Sequence, residues 1–148
     1  MRIKRPALGF WFLTVGLIFS IVAFELYNLT YDALGYSQDY WVIAMMVLAF
    51  WSFACLLVNG LFAGNKPFFM DIFYAILAFA LVLATIKFLS PCLSPIAIYF
   101  TVHNMGDVEA NAIGVPRAIA GVVFYLLSVV CVIMASFEDL AQKEANYV

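Results

Sequence analysis

The stretch WVIAMMVLAFWSFACLLVNGLF, residues 41–62, contains no charged side chain. An α-helix rises about 1.5 Å per residue, so about 20 apolar residues cross the ~30 Å hydrocarbon core of a bilayer. Backbone N–H and C=O groups in lipid must find hydrogen bonds within their own segment, which favours a helix. The stretch therefore predicts a transmembrane helix.

Three further apolar runs of similar length occupy residues 7–29, 69–89 and 118–137. The chain of 148 residues is 67% hydrophobic and only 11% charged, whereas a soluble domain carries about 25% charged residues. Alternation of apolar and polar residues at period two is absent, which disfavours a β-barrel. We therefore predict an all-α fold, an integral membrane four-helix bundle, with residues 1–148 forming a single membrane domain.

Basic residues predict the orientation of this bundle, because lysine and arginine are enriched in cytoplasmic loops. If the N-terminus lies inside, the inner side holds most of the basic residues, namely Arg2, Lys4, Arg5, Lys66 and Lys143. Both termini are thus predicted on the inner (cytoplasmic or matrix) side, with AGNKPF, residues 63–68, as a short inner turn. The prolines of SPCLSP, residues 90–95, predict that the third helix ends there. One long outer loop, residues 90–116, is then expected between the third and fourth helices.

Charged residues inside the predicted spans raise the question of what balances them. Glu25 and Lys87 occupy equivalent depths in two runs that both travel outward, and Arg117 precedes the fourth run. A charge at the bilayer centre costs about 2.5–3.5 kcal/mol on insertion scales, and much less near an interface. We predict a structural intramembrane charge pair of Glu25 and Lys87, with Arg117 at its rim, near the outer boundary. In the alternative interpretation, these charges line a transport path or a lipid-headgroup site.

Two other polar residues, Asn59 and Asp71, are predicted near the inner boundary. Asp71 falls in the first turn of the third helix, where a carboxylate interacts favourably with the helix dipole. Asn59 can hydrogen-bond to a neighbouring helix. We interpret both as helix-packing or capping residues. Near the outer boundary, an aromatic belt is expected from Tyr27, Tyr31, Tyr36, Tyr40, Trp41 and Tyr99.

Residues that carry chemistry are scarce. The single histidine, His103, cannot supply a bis-histidine haem, and no zinc-ligand cluster accompanies it. Cys92 is expected in the outer loop as a free thiol. The net charge of −2 argues against binding to nucleic acid. We therefore predict no catalytic, cofactor-binding or metal-ligating residue, no enzymatic activity, and no nucleic-acid partner. The expected partners are membrane lipids, some of them bound, and other membrane protein subunits.

The predicted topology resembles that of MARVEL-type four-span (tetraspan) membrane proteins. The resemblance is carried by four spans with both ends inside, a short inner turn, Asp71 opening the third span in MDIFYAILAFA, and Cys92 between the third and fourth spans. It implies a non-enzymatic role in organising membrane domains, vesicle traffic or cell contacts.

These observations favour a non-catalytic multi-pass membrane protein. Its expected role is that of a structural or accessory subunit in the assembly of a larger membrane complex, or of a membrane-domain scaffold. The alternative is a small proton- or ion-coupled transporter using Glu25 and Lys87. The expected absence of a charge at mid-membrane depth favours the structural role. The sequence is compatible with a plasma, endomembrane or organellar inner membrane.

Overall fold

The computed structural model describes residues 7–62, 70–101 and 108–138, and the regular elements in these ranges are all α-helices. The helices are α1 (Leu8–Leu34), α2 (Tyr40–Phe62), α3 (Met70–Thr101) and α4 (Val108–Phe137). All four are long and apolar enough to cross a membrane. The prediction of an all-α fold with four helices of membrane-spanning length and composition is therefore confirmed.

The four helices form a bundle in which neighbours run antiparallel. α1 packs most extensively against α4, α3 packs against both α2 and α4, and α1 makes a smaller contact with α2. Gly121 of α4 lies beside Leu26 of α1, whereas Gly16, earlier in α1, lies beside Cys131, later in α4. The helices therefore follow one another around the bundle, and α1 and α3 occupy opposite corners. We call the end that carries the connection between α1 and α2 the α1–α2 end.

Each helix buries residues spaced alternately three and four apart. This 3.5-residue repeat is typical of helices that pack with a left-handed twist, because it keeps one stripe of side chains facing the neighbours. In α1 the stripe consists of Gly9, Leu13, Gly16, Ser20, Ala23, Tyr27 and Thr30. In α4 it consists of Gly114, Ala118, Gly121, Tyr125, Ser128, Val132 and Ala135. The core therefore consists of successive layers of these buried side chains along the bundle axis.

Small residues bring α1 and α4 close together. A Cβ atom added to Gly16 would lie 3.2 Å from Cβ of Cys131, closer than helix packing normally allows. Ser128 Oγ donates a hydrogen bond of 2.7 Å to the backbone carbonyl of Gly16 across this contact. In a membrane, where helices lack a hydrophobic drive to associate, such close packing and interhelical hydrogen bonding hold helices together.

The connection between α1 and α2 is closed by local hydrogen bonds. Gly35 adopts a left-handed conformation with φ 71°, and its N–H donates to Asp32 O while the N–H of Tyr36 donates to Tyr31 O. This pair of bonds is a Schellman motif, which satisfies the last carbonyls of a helix. Asp39 then caps α2, since its carboxylate accepts from the N–H of Trp41 at 2.9 Å.

The predicted long loop between the third and fourth helices is wrong. α3 continues to Thr101 through Pro91 and Pro95, and α4 already begins at Val108 and contains Pro116. Only residues 102–107 separate the two helices. A proline removes one backbone hydrogen bond and clashes with a carbonyl of the preceding turn, but helices in a membrane environment tolerate it because neighbouring groups compensate. The other backbone N–H groups would find no hydrogen-bond acceptor in lipid if the helix ended at a proline. The helix therefore continues beyond both prolines.

Candidate functional site

The charged residues predicted to pair lie on the outside of the bundle. Glu25 and Lys87 are both exposed, and Arg117 is partly buried. α1 and α3, which carry Glu25 and Lys87, are diagonal rather than adjacent. Across residues 7–62, 70–101 and 108–138, no ion pair joins any two of these three side chains. The pairing of Glu25 with Lys87 and Arg117 within one chain thus stays a prediction without a contact that supports it.

Glu25 lies deeper than its place in the hydrophobic run indicated. Because α1 extends to Leu34, Glu25 is about 13 Å from the end of the helix at the helical rise per residue. Its neighbour Phe24 contacts Phe50 of α2, with ring centroids 6.4 Å apart, and Phe50 is near the middle of α2. The carboxylate-bearing residue is therefore level with the middle of the shortest helix.

Glu25 belongs to a polar stripe on the outward side of α1. Residues three and seven positions apart share one helix face, and Glu25, Asn28 and Asp32 have this spacing. Glu25 and Asp32 are exposed, and Asn28 is partly buried. The amide of Asn28 accepts a hydrogen bond of 3.0 Å from Gln38 in the α1–α2 connection. The stripe is named the acidic stripe below.

α3 carries a stripe of the same spacing with the opposite charge. Lys87, Ser90 and Ser94 are all exposed and share one face of the helix. Phe88, next to Lys87, contacts Tyr27 and Tyr31 of α1, with ring centroids 5.5 and 6.1 Å apart. Lys87 therefore lies within about one helical turn of Glu25 in depth. We call these three residues the basic stripe.

The other two predicted polar residues lie toward the opposite end of the bundle. Asp71 is in the first turn of α3, as a residue that interacts with the helix dipole must be. Asn59 is buried at 9% exposure, and its amide nitrogen has no hydrogen-bond partner among the residues that the structure describes. The structure therefore shows no hydrogen bond from the Asn59 amide nitrogen to a neighbouring helix.

A groove of about 410 Å³ opens between α3 and α4 at this end. Its walls are largely apolar, and it is lined by Asp71, Tyr74, Ala75, Ala78, Val132, Ile133 and Ser136. The groove thus combines largely apolar walls with one carboxylate, that of Asp71.

Aromatic residues form the centre of the bundle rather than only a belt. Tyr27, Tyr31, Phe88 and Tyr125 are at most 2% exposed, and Phe88 contacts the rings of all three tyrosines. The hydroxyl of Tyr27 accepts a hydrogen bond of 2.7 Å from the Asp39 N–H. The belt assignment is thus wrong for two tyrosines, whereas the other four belt residues are exposed: Tyr36, Tyr40, Trp41 and Tyr99. The three-and-four spacing that contains Tyr27 was the signal for its burial.

Cys92 also differs from its predicted place. It lies inside α3 and is fully buried, so it is a packing residue and not a loop thiol. His103 lies outside the described residues. In the part of the chain that the structure describes, no group of three or more His, Cys, Asp or Glu side chains could hold a metal ion.

Comparison of the chain with protein-family models, with curated proteins and with solved structures finds no match. The fold itself therefore defines the class. Four apolar helices of spanning length indicate a multi-pass membrane protein in contact with lipid.

Proposed function

We propose that this chain is a non-catalytic membrane protein whose role is association, either as a structural or accessory subunit of a larger membrane complex or as a membrane-domain scaffold. The observation that carries the proposal is the outward placement of Glu25 and Lys87 on spanning helices. A charge that faces lipid is costly, and a neighbouring membrane protein with the opposite charge removes that cost. The resemblance to MARVEL-type proteins points to the same kind of role, and it now depends on the four spans and Asp71, since Cys92 lies within α3.

The use of the interior polar groups supports a structural role. Ser128 joins α4 to α1, and the Tyr27 hydroxyl joins α1 to Asp39, the residue that precedes α2. Ser52 and Thr85 donate to carbonyls of their own helices. The two bonds between segments, those of Ser128 and Tyr27, stabilise the bundle. Bound lipids, for which the groove beside Asp71 is suited, are the expected small-molecule partners.

For the orientation, we propose that both termini and the connection between α2 and α3 face the inner side. The support is the distribution of lysine and arginine along the chain. In intact cells, a membrane-impermeant thiol reagent should label Tyr36→Cys, in the exposed α1–α2 connection, and should not label Lys143→Cys. Labelling of Lys143→Cys from outside, with Tyr36→Cys protected, would reverse the orientation.

A second candidate function is proton- or ion-coupled transport, and the depth of Glu25 favours it. A carboxylate level with the middle of α2 occupies the depth that a coupling residue needs, unlike the boundary position expected from the sequence. The outward direction of Glu25 counts against this candidate, because the carboxylate does not face the interior of its own bundle. Transport through a single copy would need a path that reaches this outer face.

The composition of the extracted particle tests the proposal. The tagged full chain should be extracted from its membrane with the surrounding lipid, and its companions identified by mass spectrometry. Stoichiometric membrane proteins or further copies of the chain are expected, and Glu25→Gln should reduce their recovery whereas Val15→Ala, on the same exposed face, should not. A lone chain that moves ions across liposomes, and stops when Glu25→Gln is introduced, would replace the structural role with transport.

A further inference from the structure

The acidic stripe and the basic stripe match each other in length, direction and depth. Both begin at the charged residue that lies deepest and continue toward the α1–α2 end with the same three-and-seven spacing. α1 and α3 run in the same direction, since each is antiparallel to α4. Gly121 lies beside Leu26 and Phe88, whereas the later part of α4 lies beside Gly16 of α1 and Tyr74 of α3. If two copies lie side by side in one membrane, each residue of the acidic stripe in one copy can therefore face the corresponding residue of the basic stripe in the other.

Within one copy the two stripes cannot meet face to face. They lie on helices at opposite corners of the bundle, and Glu25 and Lys87 both point away from the core. The core between these corners is filled by the rings of Tyr27, Tyr31 and Phe88. Both charges are therefore accessible to a partner outside the bundle.

A second copy of the chain offers what each stripe lacks. In a shared membrane the copies keep a common depth, so Glu25 of one copy and Lys87 of another differ by about one helical turn. The lysine side chain is long enough to bridge this difference, since its stem can extend along apolar surface. Exposed apolar residues beside the stripes, such as Ile21 and Leu29 on α1 and Ile86 and Leu93 on α3, supply packing around the pair.

We propose that copies of this chain associate head to tail, with the acidic stripe of α1 in one copy against the basic stripe of α3 in the next. This proposal rests on the proposed associative function and names its partner. Because the two stripes lie on opposite corners, each copy keeps one stripe free after pairing. Such heterologous contacts close into rings or continue as open rows, which is the geometry of a membrane scaffold.

Two charge reversals, each made in a separate population of the full chain, test the proposal. A copy with Glu25→Lys carries a lysine at the deepest position of both stripes, and a copy with Lys87→Glu carries a glutamate at both positions. Each variant alone is expected to lose self-association, because like charges then oppose each other in every contact. The two variants expressed together under different tags should co-purify to the wild-type extent, because every contact between unlike copies again joins opposite charges.

Neutral variants control for folding. Glu25→Gln and Lys87→Met introduce no repulsion, so they should fold with nearly wild-type melting temperatures and weaken association less than the reversals do. The chain carrying both reversals should self-associate again.

The outcomes separate this proposal from the proposed function. If the mixture fails to co-purify while the wild-type chain purifies with a different membrane protein, the partner is not a second copy, although the associative function stands. If the wild-type chain is alone under every condition, both proposals fail. If the chain with both reversals regains stability but the mixture does not associate, Glu25 and Lys87 pair within one copy and the head-to-tail contact is overturned.

Discussion

Gly121 shows how a single missing side chain decides the packing of α4. A Cβ atom at this position would lie 2.7 Å from Cε1 of Phe88 and 3.4 Å from Cβ of Leu26. Phe88 is fully buried among tyrosine rings, so it has little room to move. At Gly114 the corresponding contacts are with Cδ2 and Cγ of Leu34, at 2.7 and 2.8 Å. Leu34 is partly buried at the end of α1 and has more room to rotate than Phe88.

The first prediction compares these two glycines. Both Gly→Ala changes gain the same helix propensity of about 1 kcal/mol, so their difference isolates the steric effect. Overpacking a core costs about 1–3 kcal/mol, and we expect Gly121→Ala to lower the stability of the chain in detergent more than Gly114→Ala does. The measurement is thermal unfolding of both variants under one condition. Equal melting temperatures would show that Phe88 is not held as tightly as the structure indicates.

Ser128 supports a second prediction at this scale. Its hydroxyl donates to Gly16 O on another helix, whereas the buried Ser52 hydroxyl donates to Leu48 O within its own helix. Interhelical hydrogen bonds in membranes contribute about 0.6 kcal/mol on average and up to ~1.7 kcal/mol. Ser128→Ala should therefore destabilise the chain by an amount in this range, and Ser52→Ala by less. A larger loss for Ser52→Ala in the same unfolding assay would contradict the role assigned to the α1–α4 contact.

At the scale of the helices, the existence of four spans followed from composition and run length, but their ends did not. α1 was expected to stop near Leu29, where polar residues begin, yet it reaches Leu34 and ends at Gly35. α3 was expected to stop at Pro91 and continues to Thr101. Hydropathy measures where lipid can surround a helix, whereas a helix ends where its backbone finds other hydrogen-bond partners. Gly35 provides such partners through its left-handed conformation, and Pro91 does not.

The extension of α3 predicts different reactivity for two adjacent residues. Cys92 is fully buried and Leu93 is 56% exposed. Such a difference in exposure between adjacent residues is typical of a regular helix packed on one side. In a background without Cys55 and Cys131, N-ethylmaleimide should modify Cys92 slowly and Leu93→Cys, made together with Cys92→Ala, much faster. In a flexible loop the two thiols would react at similar rates, and that result would restore the predicted loop.

The start of α2 supports a prediction about capping. The Asp39 carboxylate accepts from the N–H of Trp41, and removal of such a cap costs about 1 kcal/mol. Asp39→Ala should lower stability by about this amount, and Asp39→Asn, which keeps the accepting oxygen, should lower it much less. Hydrogen exchange at the first turn of α2 should increase only in the alanine variant. Equal exchange in both variants would mean that the charge of Asp39, rather than its hydrogen bond, stabilises the helix.

At the scale of the whole molecule, the sequence predicted which residues belong to the candidate site but not where they lie relative to one another. The sequence singled out Glu25 and Lys87 because charges in spans are rare, and their similar depth was inferred from position along each run. Which helices are neighbours depends on packing between distant segments, such as Gly16 with Cys131 and Gly121 with Phe88. That packing places α1 and α3 on opposite corners, so two residues of matching depth face away from each other.

The outward charges of Glu25 and Lys87 are proposed to join this chain to other membrane chains. The most direct test is the mass of the full chain extracted with its surrounding lipid, measured by native mass spectrometry for the wild type and for a variant carrying both Glu25→Leu and Lys87→Leu. We expect the wild-type particle to contain more than one membrane chain, and the variant to be a single folded chain, because its faces no longer carry charges that need partners. Particles of the same mass and composition for both proteins would contradict the claim.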